Sequence, residues 1–535
     1  MSAPIPGETK LGKAKDQPGQ VKETLISLII AFVMAFVFRA FVAEAFIIPT
    51  GSMAPTLLGA HSRHQGAATG ANWSVNPPVQ PTASTYPADV RDPMSGQDLR
   101  EMARKRAGDR ILVFKYLYSV YDPKRWDVVV FKAPHEPQTN YIKRLVALPG
   151  EEPALIDGDV FVRNVDSTQR LDRSQNTWSM GGWQIQRKHE RVQRTVWQDV
   201  FWSHYQPILP VTDGNTRMPF KAPWRGGGTG WQIDGRQSYL YSGPGPTTLS
   251  WDSRVRPVED WYSYNVQWPT VPRFPVSDVS MSLALEPRSE MRPFAAVVRT
   301  RGHEFRADID GGGVTLRMAP LENGTPGAYR TLGTGSMPPP VAGRVSNLEF
   351  WHVDQSVQLW ANGDLVVSGT YDWTPDERLR YTVGASTAEI FSEWLSSARN
   401  PLILPGRYPQ PEIRWEFAGG EFELHRVGLQ RDIHYQPGTQ GGQMGGMPAR
   451  ATHPAAALYL GPGHFFVLGD NSPLSADARL WGETDPWVAE LIEPTDGIVP
   501  RDLLIGRAFF VYFPALTRGG LGLPVPDFGR MRWIW

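Results

Sequence analysis

The sequence predicts a mainly β protein, in which an antiparallel β domain follows an N-terminal transmembrane helix and carries an inserted β-sandwich of jelly-roll type. Three observations predict this class. The chain has 52 glycines, 48 prolines and 20 tryptophans but few long apolar helical patterns, which is typical of short strands joined by tight turns. Apolar residues alternate with period two through 278–435, and one long apolar run lies near the amino terminus.

Length, charge and cysteine content limit the possible functions. At 535 residues the chain is long enough for about three domains. Lysine plus arginine equals aspartate plus glutamate at 54 each, so the net charge gives no reason to expect a nucleic-acid partner. The absence of cysteine excludes disulfides, thiolate catalysis, iron–sulfur clusters and cysteine-bound zinc. His61 and His64 alone do not make a metal site, so we expect no metal and no cofactor.

The apolar run from Leu25 to Ala43 is close to the roughly 20 residues that a helix needs to span a bilayer. We therefore predict a tail over 1–24 and a single transmembrane anchor over 25–45, with the lipid bilayer as a partner. The tail contains Lys10, Lys13, Lys15 and Lys22. The positive-inside tendency therefore predicts a cytoplasmic amino terminus, with the remainder outside the inner (plasma) membrane.

A cleavable secretory signal is the alternative interpretation of this segment. Ala43-Glu44-Ala45 has the usual small-x-small cleavage pattern behind a basic start and an apolar stretch. Against this alternative, the apolar run is long for a signal core, and the most informative motif of the chain begins directly after it. An anchor accounts for both observations.

That motif is Phe46-Ile47-Ile48-Pro49-Thr50-Gly51-Ser52-Met53-Ala54-Pro55-Thr56-Leu57. A serine hydroxyl needs a base to act as a nucleophile, and the chain has no Gly-x-Ser-x-Gly elbow that would indicate a histidine triad. Lysine is the natural alternative. In Tyr141-Ile142-Lys143-Arg144-Leu145-Val146-Ala147-Leu148-Pro149-Gly150-Glu151 the apolar neighbours of Lys143 can bury its amine, and burial lowers a lysine pKa from about 10.4 to about 7–8.

These two motifs, together with Gly469-Asp470-Asn471-Ser472-Pro473-Leu474-Ser475-Ala476-Asp477-Ala478-Arg479-Leu480-Trp481-Gly482, resemble in content and order the three signature boxes of the type I signal peptidase family. The resemblance covers 20–60, 108–163 and 463–514. Three departures stand out. Trp126 replaces an expected glycine, Ser472-Pro473-Leu474 stands where the family usually has Arg-Asp-Asn, and Ala478 stands where it has a hydroxyl or similar residue.

The resemblance implies a serine protease with a Ser/Lys dyad. Ser52 would be the nucleophile and Lys143 the general base, and the backbone N–H of Ser52 with the hydroxyl of Thr50 would form the oxyanion hole. Supporting roles are implied for three residues of the last box. The Ser475 hydroxyl would hydrogen-bond the lysine amine, and an ion pair would form between Asp477 and Arg479.

The resemblance also implies the substrates, which are secretory precursors with small residues one and three positions before the cut, bound as an added strand. Six apolar residues match substrate-pocket positions, although each of them is equally compatible with ordinary β core. These residues are Phe46, Ile48, Pro49, Leu57, Tyr141 and Ile142.

The predicted catalytic β domain therefore has two parts, 46–164 and 463–535. The first part includes the Asp157-Gly158 hairpin signal and an insertion over 59–107, where a short helix over 97–106 is possible. The second insertion spans 165–462 and contains the predicted sandwich over 278–435, which looks like a concanavalin A-like or laminin G-like jelly roll. Such domains often bind carbohydrate or protein, but no binding residue is indicated, and a structural spacer fits equally well.

Two other classes of protein fit part of this pattern. The self-cleaving SOS repressors also use a Ser/Lys dyad, but they carry a DNA-binding helical domain where this chain has the apolar run. A membrane-tethered carbohydrate- or protein-binding protein on a catalytically degenerate peptidase scaffold is the more serious alternative. The altered Ser472-Pro473-Leu474 segment is its main support.

Overall fold

The computed structural model describes residues 18–41, 43–77, 85–166, 172, 174–213, 216–265, 271–440, 446–514, 516–518, 524–526 and 528–535. Most of the tail predicted over 1–24 lies outside these residues. Strands dominate the described part, and three large sheets contain most of them, so the predicted mainly β class is confirmed.

Six α-helices occur among the described residues: α1 Pro18–Phe41, α2 Leu117–Val120, α3 Glu190–Val196, α4 Pro375–Val383, α5 Thr387–Ser397 and α6 Pro486–Leu491. None of the helices found in the described ranges has the length and apolar character needed to cross a membrane. The transmembrane anchor predicted over 25–45 is therefore not supported. Its carboxyl end differs from the prediction for a structural reason, because a β-strand already begins at Ala43.

The catalytic sheet is the sheet that contains the predicted dyad segments. Its strand order is β1-β6-β32-β7-β8-β30-β31, with β35 beside β32. With strands numbered along the chain, the members are β1 Ala43–Ile47, β6 Arg110–Lys115, β7 Val128–Ala133, β8 Glu136–Ala147, β30 His464–Leu468, β31 Val499–Pro500, β32 Leu504–Phe513 and β35 Arg532–Trp533. Two stretches of chain far apart in sequence thus form one sheet.

The sandwich consists of two eight-stranded sheets that share one apolar core. One sheet comprises β12 Gln198–Trp202, β16 Trp231–Gln232, β17 Tyr239–Tyr241, β19 Val279–Pro287, β25 Ser346–Val353, β26 Ser356–Ala361, β27 Asp364–Thr370 and β29 Phe422–Arg431. The other comprises β15 Trp224–Gly226, β18 Thr247–Trp251, β20 Phe294–Thr300, β21 His303–Asp310, β22 Gly313–Glu322, β23 Thr325–Pro326, β24 Arg330–Ser336 and β28 Glu412–Phe417. The sandwich therefore begins earlier in the chain than 278.

Smaller ribbons complete the described structure. They are formed by β2 Ser62–Gln65 with β3 Asn72–Val75, β4 Thr85–Arg91 with β5 Asp98–Arg104, β9 Glu151–Ile156 with β10 Asp159–Asn164 and β11 Trp183–Ile185, β13 Val211–Asp213 with β14 Thr216–Met218, and β33 Leu516–Arg518 with β34 Pro524–Pro526. The possible helix over 97–106 is a strand instead, paired with β4. The predicted hairpin at Asp157-Gly158 is present between β9 and β10, with positive φ at both turn residues, as an Asp-Gly turn requires.

A buried ion network joins this hairpin to the sandwich. The guanidinium of Arg301 donates to Asp157 at 2.6 Å and to Asp278 at 2.7 Å. Arg378 of α4 donates to Asp157 at 3.0 Å and to Asp159 at 2.7 Å. All five side chains are buried, so each charge depends on its partners for solvation. The hairpin and the sandwich therefore pack as parts of one interior.

Lys188 extends this contact toward the catalytic sheet. Its amine lies 2.6 Å from Asp354 and 2.8 Å from Asp432, which neutralises carboxylates that would otherwise repel each other. The same amine lies 5.4 Å from the centre of the Trp126 ring. Trp126 has a φ of 74°, the left-handed conformation that favours the glycine expected at this position. Its ring is buried between the catalytic sheet and the insertion.

Candidate functional site

Ser52 lies in a tight turn that follows the edge strand β1. The Gly51 carbonyl accepts a hydrogen bond from the amide of Ala54 at 3.0 Å, and the Met53 carbonyl accepts one from the amide of Leu57 at 2.8 Å. The side chains of Met53 and Leu57 are fully buried in the core of the catalytic sheet. This core fixes the turn, and Ser52 retains 9% exposure at its surface.

Lys143 lies on β8, opposite Val129 of β7, and its side chain is 4% exposed. The distance from Lys143 Nζ to Ser52 Oγ is 2.6 Å. The structure thus brings the two predicted dyad residues into hydrogen-bond contact across 91 positions of sequence.

The surroundings of Lys143 favour the neutral amine. Burial lowers the Lys143 pKa to about 8, against the opposing influence of the negative charges of Asp477 and Asp470; the positive charge of Arg479 adds to the lowering. An amine with this pKa is partly unprotonated near neutral pH and has a lone pair that can accept a proton.

Arg144, the next residue of β8, points to the opposite side of the strand and forms a fully buried ion pair with Asp470. Two of its nitrogens donate to the two carboxylate oxygens, each at 2.7 Å, and Nη1 also donates to the carbonyls of Trp126 and Trp535, at 2.9 and 2.8 Å. Thr56 contributes a short hydrogen bond from its hydroxyl to Asp470. This pair connects the lysine strand, the serine turn and the loop after β30.

That loop holds the serine turn through Asn471. The Asn471 amide N–H donates to the Ser52 carbonyl at 3.0 Å, and its side-chain Nδ2 donates to the Gly51 carbonyl at 3.0 Å. Gly469 permits this close approach, because a Cβ there would lie 2.5 Å from the Ser52 carbonyl oxygen and 2.1 Å from Ser475 Oγ.

Asp477 and Arg479 form the predicted ion pair, with two hydrogen bonds of 2.8 Å each. Asp477 also accepts from the Gly469 amide at 3.1 Å, and Arg479 donates to the Ser472 hydroxyl at 2.9 Å. The expected hydrogen bond between Ser475 and Lys143 is not formed. Within the described ranges the buried Ser475 hydroxyl has no hydrogen-bond partner, because its oxygen points toward the space left by the missing side chain of Gly469.

The remaining predicted site residues differ in how much of their surface is exposed to solvent. Thr50 and Pro49 are exposed beside Ser52. Ile48 and Leu57 are buried in the core of the catalytic sheet at 2% and 0% exposure, which leaves them almost no surface for a substrate. Phe46, Ile142 and Tyr141 are partly buried and retain accessible surface.

Four residues that contribute to this geometry were given no role by the sequence reasoning. Arg144, Asp470 and Asn471 lie inside the motifs themselves, and that membership was the available signal. Asn265 lies in the insertion, where no motif marks it, and its two hydrogen bonds to Asn471 become visible only in three dimensions.

Comparison with known proteins finds similarity over part of the chain. The family described as "Signal peptidase, peptidase S26" matches residues 100–205 and 431–513, which include Lys143 and the Asp470–Arg479 loop but not Ser52. Signal peptidase I of Rickettsia bellii (strain OSU 85-389) is 31% identical over 146 residues, which are 27% of this chain and 40% of that protein. Signal peptidase I of Pseudomonas aeruginosa is 30% identical over 130 residues, 22% of this chain and 29% of that protein. The chain therefore spans less than half the length of these relatives.

Solved structures also align with part of the chain. A carbohydrate binding module from Bacillus subtilis aligns over 39% of this chain and 95% of its own, with 10% identity and a TM-score of 0.22. The galectin LEC-6 of Caenorhabditis elegans aligns over 31% of this chain and 93% of its own, with 15% identity and a TM-score of 0.17. At these scores the alignments carry no argument about function.

The match to the family model includes strands from both parts of the catalytic sheet, β6 to β8 and β30 to β32. Over the matched residues the chain is similar to the signal peptidase family, peptidase S26, and to signal peptidase I of these organisms.

Proposed function

We propose that this protein is a serine endopeptidase that removes N-terminal signal peptides from secretory precursors, with Ser52 as nucleophile and Lys143 as general base. The observation that carries the proposal is the 2.6 Å distance between Lys143 Nζ and Ser52 Oγ. The lowered pKa of Lys143, about 8, supports the base role, because it makes the neutral amine available near physiological pH.

In the acylation step, the Ser52 hydroxyl donates its proton to the neutral amine of Lys143 while Oγ forms a bond to the scissile carbonyl carbon. The tetrahedral intermediate then collapses, the C–N bond breaks, and the lysine ammonium delivers the same proton to the leaving amine. The products of this step are the free amino terminus of the mature protein and an ester between Ser52 and the signal peptide.

Water completes the reaction. Lys143, neutral again, accepts a proton from a water molecule as the oxygen attacks the ester carbonyl, and returns it to Ser52 Oγ as the ester bond breaks. In both steps the oxyanion would receive hydrogen bonds from the Ser52 backbone N–H and the Thr50 hydroxyl. The exposure of Thr50 next to the buried nucleophile supports this placement.

The proposed substrates are precursors with small residues one and three positions before the cut. An extended substrate could pair with the catalytic sheet beside Ser52, where β1 is an edge strand. Phe46, Pro49, Tyr141 and Ile142 are the predicted pocket residues with accessible surface, and they are our candidates for contact with the small side chains.

Association with a lipid bilayer is part of the proposal. Its support is the apolar surface of α1, where nine large side chains are at least 45% exposed: Leu25, Ile26, Leu28, Ile29, Ile30, Phe32, Val33, Met34 and Phe36. Apolar side chains in such a group gain free energy when a lipid or protein surface covers them. Sedimentation of the full chain with membranes, and its release by detergent but not by salt, would test this part.

Cleavage of a purified precursor with a small-x-small site tests the dyad. Ser52→Ala and Lys143→Met should each reduce kcat/KM by at least about a hundredfold, since each removes a group that transfers or receives a proton in the reaction. Ser397→Ala and Lys221→Met make the same chemical changes at exposed positions of the insertion and should cleave like wild type. Equal cleavage by all five proteins would remove the dyad hypothesis, whereas no cleavage by any of them would favour the degenerate-scaffold alternative.

A further inference from the structure

Two adjacent residues of the insertion, between β18 and β19, reach the serine turn: Tyr264 directly and Asn265 through Asn471. The Tyr264 ring packs on Gly51, where an added Cβ would lie 2.3 Å from a ring carbon. Its hydroxyl donates to the Ala60 carbonyl at 3.3 Å, on the far side of the same segment. Asn265 follows and is 3% exposed. The turn that carries Ser52 is therefore covered by a part of the chain that lies outside the catalytic sheet.

Asn265 and Asn471 form a reciprocal pair of side-chain hydrogen bonds. Asn265 Nδ2 donates to Asn471 Oδ1 at 2.8 Å, and Asn471 Nδ2 donates to Asn265 Oδ1 at 2.7 Å. The second hydrogen on Asn471 Nδ2 is donated to the Gly51 carbonyl at 3.0 Å. Both hydrogens of the Asn471 amide are thus used, and its oxygen is occupied by Asn265.

This pattern determines which way the Asn471 amide faces. An amide group can rotate to exchange its oxygen and nitrogen, and only one orientation directs the nitrogen at the Gly51 carbonyl. With the Asn265 amide in its present orientation, a flip of Asn471 alone would place two hydrogen-bond donors against each other. It would also place the Asn471 oxygen against the Gly51 carbonyl oxygen in a buried setting.

We propose that Asn265 is a positioning residue for the nucleophile, so that the insertion completes the active site of the peptidase. Asn265 orients Asn471, and Asn471 holds the carbonyls of Gly51 and Ser52 by its side chain and its main chain. Ser52 Oγ is thereby kept at reactive distance from Lys143. The inference rests on the proposed function and assigns the insertion a role in it.

The test compares Asn265→Asp with Asn265→Ala in the full-length protein, assayed at pH 9. The aspartate keeps the size of the asparagine but, when ionised, has no hydrogen to donate to Asn471. We expect both variants to lower kcat by at least about tenfold with KM unchanged within about twofold, because a buried hydrogen bond is lost but no substrate contact. Asn347→Asp makes the same change on an exposed part of the sandwich and should match wild type.

A purely space-filling role for Asn265 predicts a different result, in which the alanine variant is impaired and the aspartate variant is not. That outcome, or a rise in KM with kcat unchanged, would overturn the proposal.

Hydrogen exchange gives a readout that needs no activity. The backbone amides of Ala54 and Asn471 donate within this cluster, so they should exchange faster in both Asn265 variants than in wild type. Unchanged exchange at both amides would also overturn the proposal. Failure of the proposed function would look different, since wild type and Ser52→Ala would then show the same activity, whereas the exchange result would stand.

Discussion

The pH dependence of cleavage follows directly from the environment of Lys143. Only the neutral amine can accept the serine proton, so activity should follow the fraction of unprotonated Lys143. With a pKa of about 8 this fraction is about one tenth at pH 7, whereas a lysine at the ordinary 10.5 would have about 0.03%. Burial thus raises the amount of usable base about 300-fold at pH 7. We expect kcat/KM to rise about tenfold per pH unit below about pH 7, to reach half its plateau near pH 8 and to level off above pH 9.

Substitution of Asp477 by asparagine tests the origin of this profile. The Asp477 carboxylate raises the Lys143 pKa, and its removal also leaves Arg479 without its partner, so that the positive charge near the amine is no longer balanced. Both changes disfavour the ammonium form. The acid limb of the profile should therefore move to lower pH in Asp477→Asn, even if the plateau falls because the loop is less well held.

The assay is the initial rate of precursor cleavage between pH 6 and pH 10 at fixed ionic strength, with substrate well below KM. Asp364→Asn, at the exposed start of β27, is the matched control and should leave the midpoint unchanged. A wild-type midpoint near 10.5 would contradict a buried base. A midpoint that stays in place or moves upward in Asp477→Asn would show that the carboxylate does not act on Lys143 as the structure indicates.

Three further predictions concern stability and close packing. Arg144→Met should lower the free energy of unfolding by about 3–5 kcal/mol in denaturant titrations, because Asp470 is left as an unpaired buried charge; a loss below about 1 kcal/mol would contradict this. The pKa of Lys143 is lower in the folded protein than in the unfolded chain, so the unfolded state binds more protons between about pH 8 and 10.5 and the free energy of unfolding rises with pH there. In urea unfolding, wild type should therefore gain about 2 kcal/mol of stability relative to Lys143→Met between pH 7 and pH 10. A difference that stays constant with pH would refute the lowered pKa. Gly51→Ala should destabilise the fold by about 1–3 kcal/mol and reduce cleavage sharply, whereas Gly181→Ala, where an added Cβ meets nothing within 4 Å, should behave like wild type in both assays.

The contact between Ser52 and Lys143 could be predicted from the sequence because both residues lie in short local motifs. Ser52 and Lys143 each stand in a recognisable box, and the need of a serine for a base links them without knowledge of the fold. The partners of Arg144 were harder to predict from the sequence, since Asp470 lies 326 positions away and only the sheet order β7-β8-β30 brings the two residues together.

The errors have equally specific causes. The apolar character of the segment led to a predicted anchor that ends at residue 45, whereas the chain forms a β-strand paired with β6 from Ala43 onward.

The early strands of the sandwich were missed for a reason of length. Between residues 198 and 251 the sandwich strands are two to five residues long, which is too short for a period of two to stand out. The role of Asn265 was invisible for another reason, because an amide in an irregular loop carries no pattern at all.

The buried ion network has a consequence for any attempt to separate the sandwich from the peptidase. A truncated protein without the insertion would keep Asp157 and Asp159 but lose both arginines that neutralise them. The excised sandwich would keep Arg301 and Arg378 at a surface newly exposed to water. In neither fragment would the charges of this network be neutralised. Transfer of this insertion to another peptidase would therefore require transfer of the β9–β10 hairpin as well. Calorimetry of the intact chain should record one melting transition for the catalytic sheet and the sandwich together.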